Sequence, residues 1–356
     1  MKQITWILLL WGLLLTGCGQ SAPEPVPVTE TTAVTEAAAE FATRPTETEP
    51  QEARFLLTFV GDCTLGSNPI NYYAPYGFIK TVGEDWQYPF RNIGESFLED
   101  ECSFANLEGA LCDSGNPMQK KHTFRGPEAF VNILTENAVE VVTLANNHTL
   151  DYGNAAYDTT RETLDGAGIP YAERDGSVVF TTKNGLTIGL YGMVYYKLDV
   201  EDMTREIAAL REAGCDLVIV APHWGAEGSY HPTQEQIDVG HAAIDSGADI
   251  VWGSHPHVLQ PIEEYGGGII YYSLGNFVFG GNLYPKDLDS ALLQQEIIRD
   301  EEGVRLGQLT VVPVSVSSME TRNNFQPTPY GPGTEQYNRV MSKLDGSFAG
   351  PNLTIG

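Results

Sequence analysis

Apolar residues fall in short unbroken blocks along most of this chain, and the blocks end on polar groups. Arg54 to Val60, Cys102 to Leu107, Val139 to Leu144, Asp216 to Ala221 and Asp249 to Trp252 read as strands, because each run is short and rich in apolar side chains. Between them the spacing changes to that of helices. Pro89 to Glu101 places Phe90, Ile93, Phe97 and Leu98 on one face. Pro127 to Asn137 has Pro near its start, Asn154 to Ala167 is closed by Gly168 and Pro170, Asp202 to Ala213 is stopped by Gly214, and Thr233 to Ser246 follows. Three hairpins are expected: at Lys183-Asn184-Gly185, between Ile262–Glu264 and Ile269–Leu274, and at Asp300 to Gly303. Strand alternating with helix, with hairpins late, predicts an α/β domain built in layers.

The two ends of the chain break this pattern. Lys2, the apolar run Ile4 to Leu15 and Leu15-Thr16-Gly17-Cys18 read as a lipoprotein signal over residues 1–17, with Cys18 as the lipidated residue. An ordinary secretory signal and an uncleaved anchor are the alternatives. All three predict an extracytoplasmic protein, and the first a lipid-anchored one on a bacterial cell membrane. Residues 18–53 are rich in Thr, Glu, Pro and Ala and read as a tether, with a coil span of roughly 30 Å. The folded domain is expected over residues 54–320, and 321–356 reads as a Pro- and Gly-rich, partly ordered tail.

A formal charge of −27 in 356 residues argues against a nucleic-acid partner. Against that background residues 113–127 form a dense basic cluster, with Lys120, Lys121, His122 and Arg125. It reads either as a solvated turn or as a clamp for an anionic substrate, with Arg125 placed for bidentate contacts. Five cysteines include no CxxC pair, so a zinc ribbon is a poor fit. A Cys102–Cys112 disulfide is possible outside the cell but is not the expected pairing.

The strand ends carry the chemistry. Asp62, Glu108, Asn147-His148, His223 and His255-Pro256-His257 each follow an apolar block. Taken singly, such groups cap turns; Asn146-Asn147 alone could cap the helix that follows. Taken together, carboxylate, amide and imidazole form a donor set for one or two divalent ions such as Mn, Fe or Zn. His255 and His257 reach one cluster only if the chain bends between them, where Pro256 stands.

Six motifs then fit one family. Gly61-Asp62, Asn106-Leu107-Glu108, Asn146-Asn147-His148 with Asp151 and Gly153, His223-x-Gly225-x-Glu227, Gly253-x-His255-Pro256-His257 and Ser273-Leu274-Gly275-Asn276-Phe277 resemble those of the CapA family of bacterial poly-γ-glutamate capsule biosynthesis proteins. The resemblance implies the calcineurin-like metallophosphatase fold, an α/β/β/α sandwich. It implies Asp62 and His257 at a first metal, Asn147, His223 and His255 at a second, and Glu108 between them. It implies His148, oriented by Asp151, facing the substrate, with Arg125, Glu227 and Asn276 as substrate contacts. Thr64 stands where the phosphatases place a histidine, and Glu227 is the residue that could stand in for it. The implied function is the synthesis, export or anchoring of poly-γ-glutamate or a similar anionic polymer, alongside membrane-bound capsule synthesis proteins. A metal-dependent phosphoesterase for an unrelated ester, and a non-catalytic binding lipoprotein, are the alternatives.

Overall fold

The computed structural model describes residues 52–194 and 199–354. Cys18, the signal and nearly all of the tether lie outside these residues. The strands are β1 (Ala53–Thr64), β2 (Cys102–Leu107), β3 (Ala110–Leu111), β4 (Arg125–Gly126), β5 (Val141–Thr143), β6 (Tyr171–Ala172), β7 (Gly176–Thr181), β8 (Thr187–Val194), β9 (Leu217–His223), β10 (Ile250–Trp252), β11 (Ile262–Tyr265), β12 (Gly268–Tyr271), β13 (Asn276–Phe279), β14 (Asp289–Asp300), β15 (Gly303–Ser315) and β16 (Thr328–Pro329).

One sheet has the order β16-β15-β14-β1-β2-β5-β6, with β13 also paired to β1; a second has the order β11-β12-β10-β9-β8-β7. The alternation of side chains sorts residues into three apolar layers. Phe55, Leu57 and Phe59 of β1 and Phe104 of β2 meet Leu217, Ile219, Ile250 and Trp252 between the sheets. Phe59 stacks on Phe104 at 4.8 Å between ring centroids, and Trp252 Nε1 donates to the Val60 carbonyl at 3.0 Å. The opposite faces are covered by helices. Ala105, Leu107 and Val142 pack with Leu164 of the helix Gly153–Ala167. Val218, Val220 and Val251 pack with Ile207 of the helix Val200–Glu212 and Val239 of the helix Gln234–Asp245. Helix, sheet, sheet, helix is the sandwich expected from the resemblance. The central strands β2, β5, β9 and β10 are covered on both faces and read as unbroken apolar runs, whereas the outer strands β7 and β15 alternate with exposed positions.

Two elements differ from the sequence reading. The helix expected over Pro89 to Glu101 is broken into a 3-10 turn at Tyr88–Phe90 and one turn at Glu95–Leu98, separated by the turn at residues 91–94. The stretch after Thr321 does not remain a partly ordered tail. Its helix Glu335–Leu344 buries Val340 and Leu344 in the layer between the sheets. Lys343 pairs with Asp287 at 2.6 Å and Asp289 at 2.8 Å, and Arg339 holds Asp289 at 2.7 Å. Amphipathic spacing within a Pro- and Gly-flanked segment was the missed signal.

Strand direction positions the site. β1, β2 and β5 run parallel, as do β8, β9, β10 and β12. Their carboxyl ends therefore share one edge, where open α/β sheets present their ligand groups.

Candidate metal centre

Asp62 sits near the end of β1, beside Asn106 of β2 and Asn276 of β13 in the sheet register. One extra residue in β1 between Phe59 and Asp62 shifts the pairing there. Gly61 is required at this point, since a Cβ would lie 2.0 Å from the Gly275 carbonyl oxygen. Asn106 Nδ2 donates to Asp62 Oδ1 at 2.8 Å, and Asn146 Nδ2 donates to Asn106 Oδ1 at 3.0 Å. This amide chain ties three strand ends together. Asn106 lies in one of the six motifs, and its role as the link between Asp62 and Asn146 is visible only in the fold.

Glu108 is the centre of the cluster. It is fully buried, and neither carboxylate oxygen accepts a hydrogen bond among the described residues. Its Oε1 lies 3.7 Å from His148 Nε2, 3.8 Å from His257 Nε2 and 3.9 Å from His223 Nε2. Burial, then the Asp62 carboxylate, push the Glu108 carboxyl above its usual range. Each imidazole has its own support. His223 Nδ1 is 2.8 Å from Ser254 Oγ, and its Nε2 is 2.9 Å from Asn147 Oδ1. His257 Nδ1 is 2.9 Å from Asn276 Oδ1 and 3.2 Å from Asp62 Oδ2. Burial opposes charge on His257, but Glu108 and Asp62 outweigh it and raise its pKa. Burial and the neighbouring His257 lower His255 to about 3. Burial and His255 likewise hold His223 well below its usual range.

His148 and Asp151 form a separate pair facing the cluster. His148 Nδ1 is 2.7 Å from Asp151 Oδ2, which also accepts from the Phe124 amide at 2.6 Å. Burial lowers the His148 pKa, and Asp151 partly offsets this. Lys120 pairs with Asp151 Oδ1 and donates to the Asn147 carbonyl at 2.9 Å. Of the basic loop, then, Lys120 is the residue brought to the cluster. Arg125 is held elsewhere: its guanidinium lies 4.4 Å from the Tyr72 ring and 5.4 Å from that of Tyr152, and donates to the Cys112 carbonyl at 2.9 Å. Its strand pairs with β3, which fixes it there. Cys63, Cys102, Cys112 and Cys215 are buried free thiols.

A cavity of about 350 Å³ opens beside the cluster, lined by His148, His257, Asn276, Glu227, His122 and Lys286 among others. Asn276 Nδ2 donates to the His257 carbonyl at 3.2 Å, so Asn276 both lines the cavity and fixes His257.

The donors suit a divalent cation. A buried carboxylate without donors is costly unless something positive meets it. Asp62, Glu108 and His257 bring donor atoms within 4.8 Å of one another, as do Glu227, His255 and His257.

Fold and site together define a two-sheet α/β/β/α protein with a cluster of carboxylate, amide and imidazole donors that could hold a cation at the carboxyl edge of its strands. Residues 56–281 match the family described as bacterial capsule synthesis protein PGA_cap. The chain belongs to that family. It is 31% identical over 295 residues to the PGA biosynthesis protein CapA of Bacillus subtilis (strain 168), covering 74% of this chain and 75% of that protein. It is 28% identical over 294 residues to the capsule biosynthesis protein CapA of Bacillus anthracis, covering 75% and 68%. Among solved structures it is similar to a phosphatase from Mycoplasma pneumoniae, with 12% identity, a TM-score of 0.43, and 74% and 95% of the two chains covered.

Proposed function

We propose that this chain is an accessory protein of capsule polyglutamate synthesis whose cation centre acts on the anionic polymer or on a phosphate-containing substrate. One observation carries the reading: the family match spans residues 56–281 and contains every residue of the cluster. Asp62, Glu108, Asn147, His223, His255 and His257 are the residues that would hold one or two ions. A divalent ion bound there supplies Lewis acidity for a phosphoryl or carbonyl oxygen.

The chain's own residues supply the rest. Asp151 accepts from His148 Nδ1, which leaves Nε2 directed at the cluster, 3.7 Å from Glu108. Burial keeps the ring neutral, so Nε2 can take up a proton and return it. Lys120 holds Asp151 and the Asn147 carbonyl, and thereby the loop that carries both His148 and Asn147. The Phe124 ring, 4.4 Å from His148, shields one face of the imidazole from water. A lipid on Cys18 would hold the domain at the outer face of the cell membrane, within reach of membrane-bound capsule synthesis proteins.

The test is made in capsule-forming cells whose only copy carries Glu108→Gln. Surface polyglutamate is expected to fall at least about tenfold, the loss typical of a group acting at the reacting centre. In parallel, the purified full chain loaded with manganese or zinc is incubated with γ-linked glutamate polymer and with phosphate esters. Normal surface polymer in the cells, together with turnover of phosphate esters alone, rejects the capsule role.

A further inference from the structure

His255 and His257 adopt backbone angles that side-chain-bearing residues rarely take, with φ of +97° and +58°. Such strain persists only where the surrounding structure enforces it, and it gathers at working sites. Here it has a clear geometric effect. Two residues apart on an extended strand, the rings would point to opposite faces. Bent around Pro256, their centroids lie 5.9 Å apart, both beside the cluster.

The loop after His223 meets this bend. It turns at Gly225, where φ is +80° and a Cβ would lie 2.4 Å from the Gln236 side chain. The Gly228 amide then donates to the Pro256 carbonyl at 2.8 Å, joining the two turns through their backbones. Glu227 lies between those two fixed points. One of its carboxylate oxygens and one ring nitrogen from each of His255 and His257 lie within 4.8 Å of one another.

We propose that Glu227 is a direct ligand, with His255 and His257, of a divalent cation at the solvent-facing edge of the cluster. This deepens the cation-centre reading given above and rests on it. Two observations favour a ligand over the substrate contact expected from sequence. The carboxylate is the exposed member of the cluster, where Asp62 and Glu108 are fully buried, so it completes the donor set on the open side. It lines the cavity, so with its charge unneutralised it would repel an anionic substrate.

The experiment uses the purified full chain, stripped of metal. Manganese and zinc are titrated calorimetrically into the parent, Glu227→Gln and Glu227→His, with Glu108→Gln as a control, and bound metal is counted by elemental analysis. Glu227→Gln is expected to weaken one ion at least about a hundredfold, beyond the range for residues that only support a ligand. Glu227→His restores a donor and is expected to recover binding to within about tenfold of the parent. Its recovery separates coordination from a loss of negative charge. Because Glu227 is exposed, the metal-free melting temperature of both variants should match the parent. Parent-like stoichiometry and affinity in Glu227→Gln, with binding abolished in Glu108→Gln, overturns the ligand assignment and leaves the centre standing. A parent that binds neither metal overturns both, and does so before any substitution is compared.

Discussion

Glu108 shows what a single side chain decides here. Two buried oxygens without donors, next to Asp62, are a liability in the metal-free protein and an asset when a cation is bound. Glu108→Gln should therefore stabilise the metal-free protein by about 1–3 kcal/mol while abolishing its stabilisation by added metal. Melting curves with and without zinc measure both; a variant less stable than the parent in chelator refutes the account. Thr64 teaches the opposite lesson. A histidine at this position looks from sequence like a way to restore a metal ligand. The side chain is fully buried and its void admits no water, so Thr64→His should cost about 1–3 kcal/mol by overpacking. An unchanged denaturation midpoint with tighter metal binding would show that the site accommodates the ring. The motif residues were legible one by one, because each follows a strand. The supporting partners were not: Asn106, Ser254 and Lys120 act across separations that no local pattern encodes.

Among the elements, the helix Glu335–Leu344 most changes the picture drawn from sequence. Its Lys343 and Arg339 close on Asp287 and Asp289, the segment that leads from the cavity wall into β14. Burial opposes charge on Asp289, but Arg339 and Lys343 outweigh it and hold its pKa below the usual range. A carboxyl lowered in this way contributes stability above its unfolded value of about 3.9, and loses it as pH falls through the folded value. Lys343→Met leaves two carboxylates facing a lost partner and should cost about 3 kcal/mol at pH 7. The difference between variant and parent should begin to shrink on acidification below about pH 4, where the unfolded Asp289 protonates, and close only as pH falls through the lowered folded value of Asp289 in the parent. Urea unfolding at the two pH values measures this, and equal midpoints at pH 7 would mean that Arg339 alone suffices. The strands and the hairpins were readable from apolar runs and Gly-containing turns. This helix was not, because its short apolar face lies within a segment of loop-like composition.

For the molecule as a whole, the expected address rests on residues before the described domain. If Cys18 carries lipid, Cys18→Ala should move most of the protein from the membrane to the soluble or secreted fraction of the cells. Undiminished membrane partition and unchanged lipid labelling would reject that attachment. What the sequence by itself determined was the set of strands and the polar residues at their ends. Apolar runs are local, and parallel strands carry whatever follows them to one edge. It also determined the layered fold class and the family, since six motifs in order are a property of the chain alone. Tertiary structure decided which of those polar groups meet. It bent His255 and His257 onto one side, set Glu108 among three imidazoles, brought Lys120 to Asp151, and enclosed Arg125 between Tyr72 and Tyr152. These are pairings between distant residues, fixed by strand register and by burial. Neither can be read from the composition of any one segment.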